Sequence, residues 1–345
     1  MGKKTALNSS SSSTKKTKKV LISAYPPWHT VALVVGLVSM FILSLPSMAS
    51  LDKVATLETV THVNFPETFS VASVATFRII AGSIMIIDSL HAFFYGSWEQ
   101  DTTYYQPTSK LQPVQAIKFR GMLRVQPASV QSGLMTWTSF TMWVWILEGF
   151  AFVLLGVLSV LPVDSWLVQQ PWSFRIAVVA WETAAPNSLL VSAVVKYVLW
   201  PECIANNTAN GNNSHVLKHP CALLEHNWNV LAALIEIGIA GGLPVRYQDF
   251  SLAPLFGLLY LLFSWSMMHS WCTKDKGPQF IYPFLDTTLG VTTSIALMAL
   301  LLVLTASFAV FSLADHVLTE YIGGGIGTHC LVVFLMAVCV CRVRD

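Results

Sequence analysis

Charged residues are scarce in this chain. Asp, Glu, Lys and Arg make up 11% of its 345 residues, whereas hydrophobic residues make up 54% and the mean hydropathy is +0.59. Several stretches reach the roughly 20 apolar residues that span a bilayer. The composition therefore excludes a soluble protein and predicts a polytopic membrane protein surrounded by lipids. A net charge of +2 gives no reason to expect nucleic acid as a partner.

Spacings typical of metal sites are also missing. The six cysteines form no Cys-x-x-Cys pair, and Cys339-x-Cys341 alone is not a metal signature. An alternative set of ligands has no His-x-x-x-His spacing to support it. That set consists of His91, His226, His269 and Asp88. We therefore expect no metal and no cofactor.

Eight apolar segments follow one another along the chain. Their short connections predict a single all-α transmembrane helical bundle, with about seven or eight spans and a six-helix core. The segments cover residues 30–49, 70–95, 133–161, 176–200, 221–244, 252–271, 288–313 and 322–341.

The chain divides into four parts. Residues 1–19 combine a serine run with six lysines, and they predict a disordered tail because they cannot bury enough apolar surface to fold. Residues 20–69 hold a leading hydrophobic segment and a loop, and the Ser47-Met48-Ala49 ending of that segment also fits a cleavable signal peptide. Residues 70–313 form the transmembrane core. Residues 314–345 add a further hydrophobic segment and a short basic tail.

Basic residues indicate the orientation in the membrane. Most of the Lys and Arg fall in the N-terminal tail, in the loops at 96–132, 201–221 and 272–287, and at the C-terminus. Such loops are enriched on the cytoplasmic side, so we expect the N-terminal tail in the cytosol. Two sequons, at Asn206 and Asn212, with Cys203 and Cys221 suit a lumenal loop instead. The membrane is either an endomembrane, such as the endoplasmic reticulum, or the plasma membrane.

The fifth segment carries more polar side chains than a helix facing lipid tolerates. An ionisable side chain inside a span costs roughly 2.5 kcal/mol or more unless it meets a partner or a wet cavity. His226, Asn229 and Glu236 of the fifth segment recur at helical spacing and therefore share one face. In the second segment, Asp88 and His91 lie three positions apart and also share a face. The residues expected at the resulting polar pocket are His226, Asn227, Asn229, Glu236, Asp88 and His91.

A hydroxyl suited to chemistry comes from the third segment. Because the third and fifth segments cross the membrane in the same direction, we expect Thr141 and His226 at similar depth. A hydroxyl, an imidazole and carboxylates in one pocket are what general-base activation of a threonine nucleophile needs. Structural roles are the alternative, since hydroxyls in membrane helices mostly bond their own backbone and histidines join helices. Asp88 with His91, or a glutamate with Arg78, would then form internal ion pairs.

Several short strings resemble the androgen-induced protein family and its rolling-stone-like relatives. They are His226-Asn227-Trp228-Asn229, then Glu236, the Pro-Val-Arg turn at 244–246, FGLLYLLFSW at 256–265 and IYPFLD at 281–286. The resemblance is strongest over residues 221–290. It implies a multi-pass hydrolase of fatty acid esters of hydroxy fatty acids that uses an intramembrane threonine and histidine. By motif position these would be Thr141, in SFTMWVW, and His226.

Two functions therefore stay open. In a lipid ester hydrolase, Thr141 would attack the ester carbonyl, His226 would take and return its proton, and Asn229 or Asn227 would orient the imidazole or bind the oxyanion. The alternative is a non-enzymatic multi-pass protein. It would be structural, linked to cell fusion as in the rolling-stone-like branch, or a small transporter with a polar network inside the membrane.

Overall fold

The computed structural model describes residues 26–100, 103–104, 129–201, 219–268, 270, 279–287 and 290–342. Several features used above lie outside these residues, so the orientation of the chain in the membrane stays a prediction. They are the tail 1–19, most of the loop at 96–132, both sequons, Cys203 and His269.

Helices form at all eight apolar segments. The long ones are α1 (Trp28–Leu43), α4 (Val71–Tyr95), α5 (Phe140–Val160), α7 (Pro171–Val194), α8 (Pro220–Gly238), α9 (Leu252–Ser266), α10 (Val291–His316) and α11 (Ile326–Val340). In the described parts of the connections there are three short helices: α2 (Met48–Leu51), α3 (Leu57–Thr61) and α6 (Trp166–Gln169). The prediction of a helical protein is confirmed.

Among the residues that the structure describes, five helical stretches are long and apolar enough to cross a membrane. They are Val71–Tyr95, Phe140–Val160, Pro171–Leu199, Tyr247–Ser266 and Val291–Tyr321. The helices α1 and α11 are apolar but shorter, and α8, which carries the polar face, is not among the five. These stretches support an integral, multi-pass membrane protein.

Two short strand pairs accompany the helices in the described part of the chain. The strand β1 (Ser97–Gln100) pairs antiparallel with β3 (Ser129–Ser132), and β2 (Thr103–Tyr104) pairs antiparallel with β4 (Gln279–Phe280). Both pairs lie in connections between the long helices.

The third apolar segment enters its helix later than the sequence predicts. Gly133, with a φ of 60°, opens a 3-10 turn that runs to Thr138, and Ser139 is extended. The Ser139 hydroxyl then accepts a hydrogen bond from the Met142 N–H, as an N-cap residue does. Thr141 is therefore the second residue of α5 and does not lie deep within a span.

Glycines let α4 and α5 pack closely. A methyl group added to Gly82 would lie 2.5 Å from the carbonyl oxygen of Gly149, and one on Gly156 would lie 2.7 Å from the Ile79 side chain. Small residues at such positions allow helix backbones to approach each other in a membrane. The same contacts make α4 and α5 antiparallel neighbours.

The helix α7 lies at the centre of the bundle. It packs against α5, α8, α9 and α10, and it continues through Pro186. Its Trp181 is fully buried and meets the Phe152 ring of α5 edge-on, with ring centroids 5.5 Å apart. This central position brings polar groups of α7 against those of α8.

Candidate functional site

A fully buried ion pair joins α4 to α8. The Arg78 guanidinium donates from Nη2 to Glu236 Oε1 at 2.6 Å and from Nε to Oε2 at 3.1 Å, and neither side chain is exposed. A further nitrogen, Nη1, donates to Ser159 Oγ on α5 at 3.0 Å. Planar bidentate pairing of this kind fixes geometry as well as charge. Glu236 therefore ties helices together, which is the structural role weighed above.

The chain after α8 leaves room for this pair. A methyl group on Gly241 would lie 2.0 Å from Arg78 Nη2 and 2.4 Å from Glu236 Oε1, so only glycine fits. Gly242 adopts a φ of +62° and faces the Asn64 side chain. The close contact at Gly241 and Gly242 was not predicted from the sequence, although two adjacent glycines after a helix indicate that other groups approach the backbone closely.

A second ion pair lies between α7 and the turn that leads to α9. Arg246 donates from Nε to Glu182 Oε1 at 3.0 Å, and it also pairs with Asp249. Arg246 Nη1 donates to the Ser50 carbonyl oxygen at 3.0 Å. The sequence indicated Arg246 only as part of the Pro-Val-Arg turn at 244–246, and this ion pair was not predicted from it.

We use the term carboxyl cluster for three acidic side chains on helices that pack against one another: Asp88 on α4, Glu148 on α5 and Glu225 on α8. Asp88 lies beside the Trp145 indole and the Cys221 thiol, and it interacts electrostatically with Glu225. Asp88 Oδ2 and Trp145 Nε1 are buried, and neither has a hydrogen-bond partner among the described residues. Like charges at short range oppose joint ionisation, so ionised Asp88 and Glu225 would destabilise each other.

Glu148 is the most isolated member of the carboxyl cluster. Its side chain is fully buried, and neither Oε1 nor Oε2 has a hydrogen-bond partner in the part of the chain that the structure describes. It lies one helical turn beyond Trp145 on α5. Transfer of an ionised carboxylate into such a place without a partner is far costlier than transfer of the neutral acid. An ionised Glu148 side chain would therefore be costly at this place in the bundle.

Histidines lie at one end of the carboxyl cluster. Both His91 and His219 interact electrostatically with Asp88, and both are exposed. The His91 ring also lies 5.5 Å from the Tyr95 ring, measured between centroids. The prediction that Asp88 and His91 share a face is thus consistent with their proximity in the structure.

Thr141 lies in an aromatic setting between α5 and α9. Its hydroxyl is hydrogen bonded to the Tyr282 phenol, and that phenol also accepts the Phe140 N–H at 3.3 Å. Burial raises the pKa of Tyr282 to about 12, so the phenol keeps its proton at neutral pH. The Tyr260 hydroxyl donates to the Thr138 carbonyl oxygen at 2.9 Å in the same setting.

His226 lies on the side of α8 that meets the end of α11. Its neighbour Asn227 donates from Nδ2 to the Arg342 carbonyl oxygen at 3.1 Å and accepts from the Arg342 N–H at 2.8 Å. His226 itself interacts electrostatically with Arg342, and its Nδ1 is buried without a hydrogen-bond partner among the described residues. Asn227 therefore positions the C-terminal end of α11.

Asn229 completes the set of predicted residues. Its Oδ1 accepts a hydrogen bond from Ser192 Oγ on α7 at 3.1 Å, and both side chains are buried. The Asn229 Nδ2 has no partner within the described ranges. The residue therefore contacts α7, and no hydrogen bond to the His226 imidazole is present there.

The structure does not join Thr141 to His226. Thr141 bonds Tyr282, whereas His226 neighbours Arg342, and no hydrogen bond links the two among the described residues. Metal-binding geometry is likewise not found there, since no three His, Cys, Asp or Glu side chains are grouped to hold an ion.

Comparison of the chain with models of protein families, with curated proteins and with solved structures gave no match.

Proposed function

We propose that this protein carries protons across a membrane through the carboxyl cluster of Asp88, Glu148 and Glu225. The observation that supports it most is Glu148, a fully buried acid with both carboxyl oxygens unpartnered among the described residues. Ionisable groups inside membrane helices are expensive and mark proton relays. An acid without fixed donors can release its proton and regain it without first breaking an ion pair.

Polar groups continue from the carboxyl cluster in both directions. Towards one end lie Asp88, Cys221 and the exposed His219, which offer proton exchange with water. Towards the other end, the buried Asn229 and Ser192 pair joins α8 to α7. Further along α7 lies the buried Asn187, whose Oδ1 has no partner among the described residues.

The Arg78 and Glu236 pair has a different part in this proposal. Its charges neutralise each other at hydrogen-bond distance, so neither group is free to exchange protons. It holds α4 against α8 and thereby keeps Asp88 and Glu225, which lie on the same two helices, near each other. The charges of Arg246 and Glu182 also neutralise each other, so this pair positions α7 and takes no part in proton exchange.

The test is proton flux into liposomes. Purified protein is reconstituted around a pH-sensitive dye, a pH gradient is imposed, and the membrane potential is clamped with a potassium ionophore. We expect flux above that of empty liposomes for the unaltered protein. Glu148→Gln keeps the shape of the side chain but removes the exchangeable proton, so flux should fall to the level of empty liposomes.

Glu58→Gln is the matched control, because Glu58 is exposed and lies in the short helix α3. This variant should conduct like the unaltered protein. Equal flux in the Glu148→Gln variant and the control, or no flux from any reconstituted sample, would refute the proposal. Recovery of each variant as a monodisperse peak in detergent confirms that folding is intact.

Lipid ester hydrolysis is the second candidate. The resemblance to the androgen-induced protein family favours it, and so does His226, whose buried Nδ1 has no partner among the described residues and is free to accept a proton. Because Thr141 bonds Tyr282, direct proton transfer from Thr141 to His226 requires a rearrangement in which Thr141 leaves the phenol. The substrate would enter from the lipid phase.

An activity-based probe for serine and threonine hydrolases tests this candidate. If the chain is such an enzyme, Thr141→Ala and His226→Ala should each abolish covalent labelling of purified protein. Thr138→Ala, one turn away, should leave it unchanged. Labelling that persists in both of the first two variants would eliminate this mechanism, whatever the flux assay shows.

A further inference from the structure

His329, in the first turns of α11, bonds two carbonyl oxygens at once. Its Nδ1 lies 2.8 Å from the Gly238 carbonyl oxygen at the end of α8, and its Nε2 lies 3.1 Å from the Ile322 carbonyl oxygen. A carbonyl oxygen can only accept, so both ring nitrogens must donate. A neutral imidazole has one N–H, and only the doubly protonated ring satisfies both contacts.

The His329 ring lies at the C-terminal end of α8. Gly238 is the last residue of α8, and the C-terminal end of a helix carries partial negative charge that stabilises cations. The Phe65 ring meets the imidazole edge-on at a centroid distance of 4.9 Å. The His329 side chain is buried, so its hydrogen bonds are shielded from competition with water.

We propose that His329 is a pH-sensitive latch that fastens α11 to the end of α8 when its ring is protonated. The latch consists of the His329 ring with the carbonyl oxygens of Gly238 and Ile322. Close packing at the same point makes the contact sensitive to separation, since a methyl group on Gly238 would lie 2.5 Å from the Val333 side chain of α11. Loss of one ring proton removes a donor and places a lone pair against a carbonyl oxygen.

A cavity gives protons access to the latch. It measures about 490 Å³ and is lined partly by polar side chains. The polar lining residues are His62, Asn64, Thr319 and His329. Because His62 and Thr319 are exposed, the cavity connects the ring to the surface of the protein. The latch goes beyond the proposed proton path, whose acids lie on other parts of α4, α5 and α8.

The other titratable and charged groups around the latch do not replace it. They are His62 across the cavity, Asp315, His316 and Glu320 on the preceding helix, and the Arg78 and Glu236 pair beneath the end of α8. His62 donates from Nδ1 to the Gly241 carbonyl oxygen at 2.9 Å. In the described ranges none of these groups forms an ion pair with His329.

The latch is closed when the ring carries both protons, and it weakens as the pH rises and one proton leaves. Loss of one buried hydrogen bond and of the charge at the helix end should raise the opening equilibrium about tenfold. Opening should therefore increase with pH.

Two measurements on the full chain in lipid nanodiscs test the latch. Nitrogen-15 NMR of the His329 ring should show the doubly protonated form at acidic pH and its loss at alkaline pH. Hydrogen exchange at residues 317–330, corrected for the intrinsic pH dependence, should become about tenfold faster over the same titration. His329→Gln should remove that dependence, while His316→Gln, which alters an exposed histidine on α10, should retain it.

A ring that stays singly protonated throughout the titration would overturn the proposal. Exchange in the His329→Gln variant that keeps the pH dependence of the unaltered protein would also overturn it. If His329→Gln does not fold, the NMR titration of the unaltered protein decides the matter alone. Neither measurement depends on proton flux, so the latch and the proton path can fail separately.

Discussion

At the scale of single residues, the bundle separates acids that are paired from acids that are not. Glu236 accepts two hydrogen bonds from Arg78, whereas both oxygens of Glu148 are unpartnered among the described residues. The two glutamates are equally buried, so burial alone does not distinguish them. The partner decides whether a buried acid stabilises the fold or remains free to exchange a proton.

The Arg78 and Glu236 pair leads to a stability prediction. Glu236→Gln leaves a buried guanidinium without a counterion, and we expect it to lower the free energy of unfolding by about 3–5 kcal/mol. Replacing both residues with methionine removes both buried charges and should cost less than the single change. Chemical unfolding in detergent micelles, followed by tryptophan fluorescence, measures both effects.

An exposed ion pair provides the control. Arg175 and Asp52 are joined at 2.7 Å but keep 31% and 49% of their side-chain surface exposed. Solvent screens such pairs, so Asp52→Asn should change stability much less than Glu236→Gln. A similar loss of unfolding free energy in Asp52→Asn and Glu236→Gln would contradict the expectation that the buried pair contributes more to stability than the exposed pair.

At the scale of helices, the sequence predicts which segments form helices but not which neighbouring helix each polar side chain contacts. Runs of about 20 apolar residues have few alternatives to helix in a membrane, so all eight segments were predicted correctly as helices. The start of α5 was misplaced because Gly133 and the extended Ser139 separate a 3-10 turn from the helix. Hydropathy does not register that break.

The polar face of α8 shows why the candidate site was harder to predict. Spacing placed His226, Asn229 and Glu236 on one face, but they meet different helices: Asn229 bonds Ser192 on α7, and Glu236 bonds Arg78 on α4. His226 turns towards Arg342. Spacing within one helix fixes directions from its own axis, whereas the partners lie tens of residues away and depend on how the helices pack.

At the scale of the whole molecule, buried acids and polar side chains lie in the interior of the bundle. Two ion pairs, Arg78 with Glu236 and Arg246 with Glu182, hold the helices around them. The carboxyl cluster lies among α4, α5 and α8, and the central α7 continues the polar groups through Ser192 and Asn187. The His329 latch holds α11 against the end of α8. This arrangement supports a proton carrier whose last helix responds to pH.

On the proposed proton path, Glu148 holds an exchangeable proton inside the bundle. Infrared difference spectroscopy of reconstituted protein tests it most directly, because a protonated carboxylic acid has a C=O stretch that an ionised carboxylate lacks. We predict that this band is present at neutral pH, shifts in D₂O and is lost in Glu148→Gln but not in Glu58→Gln. A spectrum in which Glu148→Gln removes only an ionised carboxylate band would show that Glu148 does not hold the proton that the proposed path requires.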